Sequence, residues 1–237
     1  MSLLEVKALS KHFGGVIALK NVDVHMQAGE TLGMIGPNGS GKTTFVNIVS
    51  GQLRADSGAM RFDGHDTRGR QPHQLARLGL TRSYQAVRVF AGLSVQKNID
   101  TACLLLAGEG LARTQLQELT EWLRLDLALA KSAGSLTLFE QRRLELLMRL
   151  AQRPKLIMLD EPVGGLAVTE VREMILLLQQ LKARCSIFVI EHTMRVIREL
   201  ADRVVVLMAG EKIADGPPAE ILRDQRVIEH YLGTVHA

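Results

Sequence analysis

Cysteine, aromatic residues and long apolar runs are all scarce in this chain of 237 residues. Cysteine occurs twice, at Cys103 and Cys185, far apart and in different expected elements. A pair of reduced thiols is therefore expected rather than a disulfide framework. Aromatics make up 4% of residues and the basic residues form no long block, which removes the stacking platforms used to grip single-stranded nucleic acid. No nucleic-acid partner is expected. No apolar stretch approaches the roughly 20 residues of a membrane span. The segment from Met1 to Lys7 alternates like a strand and lacks the basic opening and cleavage site of an export signal. The formal charge of +4 is modest, and scattered solvated Lys and Arg account for it better than a dedicated acidic-partner surface. No internal repeat or low-complexity tract breaks the chain. Hydrophobic content of 46% with 23% charged residues fits a globular protein with one large core, or a core plus a small satellite.

What is present begins with Gly36-Pro37-Asn38-Gly39-Ser40-Gly41-Lys42-Thr43-Thr44, which fits the phosphate-loop pattern G-x-x-x-x-G-K-[ST]. The apolar run from Glu30 to Ile35 reads as the strand leading in, and Phe45 to Val49 as the helix leading out. Glycines let successive N–H groups curl inward toward phosphate oxygens, and the helix N-terminus adds its positive dipole end. Lys42 brings a full charge to the β and γ phosphates, and the Thr43 hydroxyl is placed to ligate Mg²⁺.

Short strands are expected over Leu3 to Leu9, Ile17 to Met26 and Ala59 to Phe62, the last closed by Asp63-Gly64. From about Val87 to Ala133 strand signals vanish. Asn98 to Leu106 and Leu116 to Leu129 carry helical spacing, punctuated by Gly108, Gly110 and Gly134. Alternation then resumes: strands at Lys155 to Leu159 and Ser186 to Ile190, helices at Glu170 to Leu181 and Met194 to Leu200. Such alternation implies a parallel sheet covered on both faces. Val204 to Leu207, Ala209-Gly210 and Lys212 to Ala214 read as a hairpin, and Ala219 to Tyr231 as two short amphipathic helices.

Leu156-Ile157-Met158-Leu159-Asp160-Glu161 is an apolar run ending in two acids. Four consecutive apolar residues suit a strand buried on both faces, and its C-terminal end is where ligands bind in such sheets. Asp160 is suited to hold Mg²⁺ through water, and Glu161 to orient or deprotonate a water attacking the γ-phosphate. Ile187 to His192 repeats the theme and delivers His192 to the same edge as a γ-phosphate contact. Gln85 follows a short strand candidate, Thr81 to Tyr84, and its amide suits a metal or the attacking water.

With these parts in order the chain resembles the ATP-binding subunit of an ABC transporter, over essentially its whole length. Gly36 to Thr43 matches the Walker A motif, Leu156 to Glu161 Walker B with its catalytic glutamate, Gln85 the Q-loop and His192 the switch histidine. Phe13 falls where the family stacks an aromatic on adenine; core packing beside Gly14-Gly15 is the other reading. Phe13 to Leu19, Glu161 to Leu166, Ile190 to Met194 and Tyr231-Leu232-Gly233 resemble importers of branched-chain amino acids and their urea and short-amide relatives. The resemblance implies an α/β fold: a P-loop NTPase core with a mixed, mainly parallel sheet, an N-terminal antiparallel β subdomain and an inserted α-helical subdomain. Residues 1–85 and 139–237 would form the core, and 86–138 the helical part. It also implies ATP and Mg²⁺ as ligands, integral membrane permease subunits and a second ATP-binding subunit as partners, and a cytoplasmic place on the inner face of the membrane.

Two departures matter. The family's Leu-Ser-Gly-Gly-Gln signature, which closes over the partner's ATP, is matched here by Leu136-Thr137-Leu138-Phe139-Glu140. Thr137 and Glu140 keep a capping box for the following helix, but both glycines are lost. A phenyl ring at Phe139 is expected to obstruct approach to phosphate. Ala167 also stands where the family commonly has Asp or Asn. Together these imply an asymmetric pair, in which this chain's Walker site is completed by a normal signature on a different partner.

Overall fold

The computed structural model describes residues 2–104 and 111–231. Met1, Leu105, Leu106, Gly108, Gly110, Leu232 and Gly233, named above, lie outside the described residues. Two sheets organise the chain. The first is antiparallel, with β1 (Ser2–Phe13) between β2 (Val16–Gln27) and β4 (Ser57–Phe62), and the short β5 (His65–Asp66) beyond β4. This is the expected N-terminal antiparallel unit, with longer strands than the sequence pattern marked.

The second sheet has six strands. It contains β3 (Thr31–Ile35), β6 (Leu80–Arg82), β7 (Leu156–Asp160), β8 (Ser186–Ile190), β9 (Arg203–Met208) and β10 (Glu211–Gly216), in the order β10-β9-β3-β8-β7-β6. Every pairing is parallel except the β9–β10 hairpin, which turns at Ala209 and Gly210, both with positive φ. The period-2 alternation of these strands divides two cores. Leu156, Met158, Phe188, Ile190, Val205 and Leu207 face α1 (Lys42–Val49) and the antiparallel sheet. Ile157, Leu159, Ile187, Val189, Val204 and Val206 face the other helices. That two-sided burial is why these strands read as unbroken apolar runs.

The opposite core is covered by α5 (Leu138–Leu150), α6 (Val168–Leu181) and α7 (Met194–Leu200). The segment between β6 and α5 contributes α3 (Val95–Leu104) and α4 (Arg113–Trp122) and, among its described residues, an isolated bridge, Ser94 to Ser132, in place of a strand. The helical spacing from Leu116 to Leu129 does not give one helix. α4 stops at Trp122, Arg124 adopts φ +52°, and Asp126–Ala128 forms a 3₁₀ turn. Leu123 and Leu125 are both fully buried, an i, i+2 spacing that a continuous helix cannot place on one face. α2 (Pro72–Leu78) was not marked by periodicity; it opens on proline and ends on Gly79 at φ +97°. α8 (Pro218–Ile221) and α9 (Gln225–Tyr231) are the two short C-terminal helices expected. Cys103 and Cys185 are both free, and burial pushes the Cys185 thiol up to about 12.

Candidate active site

Parallel register decides which residues meet. Met34 pairs with Ile190, and Ile190 with Asp160, so β3, β8 and β7 finish at one level. The residues immediately beyond those ends are the glycine loop, Glu191-His192 and Glu161. Three segments that are remote in sequence thus converge on one sheet edge.

The loop holds its shape through backbone contacts that exclude side chains. Gly36 carries φ +154°, and a Cβ there would stand 2.1 Å from the Leu207 carbonyl oxygen. Gly41, at φ +102°, is the N-cap of α1 and abuts the Ala18 carbonyl of β2. Lys42 is only 5% exposed. Its ammonium donates to the carbonyls of Gly36 (2.7 Å) and Pro37 (2.9 Å), so the cation lies inside the curl of the loop. Burial lowers its pKa, and Glu161 and Asp160 oppose the shift. Thr43 is exposed at the start of α1, Ser40 is buried, and Gly39 lies open to solvent at the loop's crest.

Glu161 is the hub. Its N–H donates to Ile190 at 2.9 Å, and its backbone takes φ +50°, a conformation that costs an L-residue about 1–2 kcal/mol. Such strain is retained where surrounding contacts over-determine it. Here it turns the carboxylate out of the strand. Gln85 Nε2 donates to Oε2 at 2.9 Å, and His192 Nε2 lies 2.5 Å from Oε1. Gln85, Glu161 and His192, each singled out from sequence, therefore form one chain of side chains. Glu191 steadies it from beneath: its carboxylate accepts the N–H groups of Val163, His192 and Thr193, and burial raises its pKa.

Asp160 is placed differently from a solvated strand end. It is 6% exposed and forms an ion pair with Arg82 at 2.8 Å. Arg82 also donates to Asn47 (2.5 Å) and Ser50 (3.3 Å) on and beside α1. The Arg82 role was missed in the sequence reading. The signal was available: an arginine inside a three-residue buried strand needs a buried acceptor. Removing one partner of a buried pair leaves the other charge unpaired. Arg82→Met is therefore expected to lower unfolding stability by about 3–5 kcal/mol, read as a fall in the urea midpoint. An unchanged midpoint would show that Asp160 finds other partners.

At the signature position the capping box is formed: Glu140 N–H donates to Thr137 Oγ1 (3.2 Å), and Thr137 N–H to Glu140 Oε2 (2.8 Å). The expected obstruction by Phe139 is corrected. Phe139 is 6% exposed, packed in the core beneath the Arg143 guanidinium at 4.6 Å. One helical step earlier, Leu138 points outward at 41% exposure and comes within 3.2 Å of where a Gly165 Cβ would be. An aliphatic side chain, not a phenyl ring, occupies the face lost by the glycines. Ala167 and Val168 beside it are exposed.

Phe13 is 49% exposed at the tip of the β1–β2 hairpin, which sets aside the core-packing reading. Val16 and Ile17 flank it, and Lys11 Nζ lies 5.5 Å from the ring centre. The same hairpin touches the phosphate loop through Ala18, so an open aromatic face stands near the loop.

A parallel sheet whose edge gathers a lysine-bearing glycine loop, a buried aspartate and a glutamate bound to Gln85 and His192 defines a phosphate-loop nucleotide-binding protein. The ABC transporter family profile matches residues 19–164, and that of the branched-chain amino acid ATP-binding cassette transporter matches residues 211–237. The high-affinity branched-chain amino acid transport ATP-binding protein BraF of Pseudomonas aeruginosa is 33% identical over 249 residues, covering 98% of each chain. The probable branched-chain amino acid transport ATP-binding protein LivG of Archaeoglobus fulgidus is 32% identical, over 98% of this chain and 96% of that one. The ADP conformation of MJ1267, an ATP-binding cassette of an ABC transporter, superposes with a TM-score of 0.87 at 28% identity, over 98% and 99% of the two chains. The chain belongs to the ABC transporter family, as an ATP-binding cassette whose activity is ATP hydrolysis coupled to transport.

Proposed function

We propose that this cassette energises import of branched-chain or other hydrophobic amino acids, or of a related small amide. The observation that carries the cargo class is likeness over the full length to cassettes named for branched-chain amino acid transport, together with the match at residues 211–237. In this reading the chain works on the inner face of the cell membrane, with residues 86–138 as the part that docks on integral membrane permease subunits. Among the described residues no helix is long and apolar enough to cross a membrane.

In this reading Gly36 to Thr44 and Lys42 hold the phosphates of ATP, and Phe13 stacks on adenine. Glu161 orients or deprotonates the attacking water, while Gln85 and His192 fix that carboxylate and meet the γ-phosphate side. Among the described residues no group of three or more acidic, His or Cys side chains is arranged to hold a metal ion by itself. Mg²⁺ keeps several waters and takes only one or two protein ligands beside substrate phosphates. Thr43, Asp160 and the Gln85 amide oxygen are the hard oxygen donors available to it.

The second ATP-binding subunit is read as a different chain. Leu138 presents an aliphatic side chain where a glycine's N–H would approach the partner's phosphate, so the partner's site is the slow one. Reconstitution with permease subunits in vesicles containing ATP tests the cargo reading. Uptake of leucine, or of urea or a short amide supplied in parallel, above an ATP-free control is expected; ATP-dependent uptake of another cargo class with none of these would overturn it.

A further inference from the structure

One residue beyond Arg142, whose guanidinium donates to the Gly164 carbonyl at 2.7 Å, Arg143 turns to a different surface. There the end of α4 and the bodies of α5 and α6 line an open surface cavity of about 280 Å³. Leu176, Leu177 and the indole of Trp122 supply its apolar walls. The indole is fixed: Nε1 donates to Gln180 at 2.5 Å, and Arg184 stacks 4.9 Å from the ring centre.

Arg143 is 8% exposed. Its Nε is closed off from solvent and donates to nothing, and no carboxylate among the described residues forms an ion pair with it. Its guanidinium lies over the Phe139 ring, 4.6 Å from the centre. Burial lowers its pKa, while Glu140 and Glu173 pull the other way. Its two terminal nitrogens, unlike Nε, are not closed off, and a carboxylate is the group that pairs with them. Across the cavity Glu173 lies 3.5 Å from Arg124, both well exposed, so its carboxylate remains available to a small cation. The volume falls just below the roughly 300–1,000 Å³ of drug-sized sites, which fits a molecule of amino-acid size.

We propose that this pocket binds an α-amino acid with an aliphatic side chain, its carboxylate on Arg143, its ammonium group at Glu173 and its side chain against Leu176, Leu177 and Trp122. The assignment stands on the chemistry of the pocket. Its use as feedback by accumulated cargo rests on the import reading above. Arg143 sits on Phe139, in the first turn of the helix that faces the partner's nucleotide, so occupancy bears on that surface.

Titration calorimetry of the 237-residue chain with leucine, isopentylamine and 4-methylpentanoate tests the site. Leucine is expected to saturate, and each analogue, lacking one charged group, to bind at least tenfold more weakly. Arg143→Met is expected to abolish binding. Because Arg143 is buried, Leu176→Asp is the companion variant: at 57% exposure it spares the fold but puts a hydrated charge against the ligand's aliphatic side chain, and it too is expected to abolish binding. Absence of leucine binding to the wild-type chain, or undiminished binding by folded Leu176→Asp, overturns the proposal. Leucine uptake without leucine binding sinks the pocket alone. Leucine binding without uptake of leucine or of a small amide sinks the cargo reading and leaves the pocket standing.

Discussion

Glu161→Gln is expected to slow ATP turnover at this chain's own Walker site by about 10²–10⁴-fold, while nucleotide affinity stays within a few-fold. The expectation rests on where the carboxylate stands. It is joined to both Gln85 and His192, and its left-handed backbone turns it away from the strand that delivers it. Glutamine keeps the volume and one acceptor oxygen, so the backbone turn and the Gln85 bond survive. What it removes is the second anionic oxygen, the one that a water's proton needs. In a complex with its partner subunit the same change should nearly silence phosphate release. The equivalent change in the partner should reduce release by less than twofold, because that site faces Leu138 here. Phosphate release measured for each variant decides the matter; equal losses from both would show two matched sites and end the asymmetric reading.

Gly41→Ala is expected to cost at least 100-fold in ATP affinity, measured by fluorescent-nucleotide titration. Two penalties coincide. At φ +102° an L-residue is strained, and its Cβ would lie 2.5 Å from the Ala18 carbonyl oxygen and 2.8 Å from Leu19 Cδ2. The loop must move to relieve the contact, and it cannot move alone. Gly41 O accepts the Phe45 N–H at 2.8 Å, so α1 shifts with it and carries Lys42 off the Gly36 and Pro37 carbonyls. Gly39→Ala separates strain from collision: it shares the positive φ, at +79°, but nothing lies within 4 Å of its added methyl. Its melting temperature should fall less than that of Gly41→Ala. Matching losses would mean that the Ala18 contact is easily relieved.

Much of this site is legible in the sequence because its parts are tied to elements with strong periodic signals. Buried parallel strands read as unbroken apolar runs, and the residues just past their ends are the chemical ones. Parallel register then brings Asp160, Ile190 and Met34 to one level without further information. The Thr137–Glu140 capping box was equally local and formed as expected. What stayed hidden depends on direction rather than spacing. Nothing in Leu138-Phe139 says which side chain turns inward; the helix phase set by Thr137 decides it, and it buries the ring and exposes the leucine. The break after Trp122 hid because Leu116, Leu119, Leu123 and Leu127 fall at helical spacing, while Leu127 proves 92% exposed. The Arg82–Asp160 pair joins positions 78 residues apart, and no local pattern reports a partner at that distance.

That guanidinium has a mechanical consequence. By gripping Asn47, Ser50 and Asp160 at once, it rivets the helix after the phosphate loop to the strand that carries the acids. Those pieces travel as one block. Compliance is left to Gln85 and His192, two exposed side chains leashed to a single carboxylate. Cleaving the terminal phosphate would therefore loosen the rim of the site while its floor stays rigid.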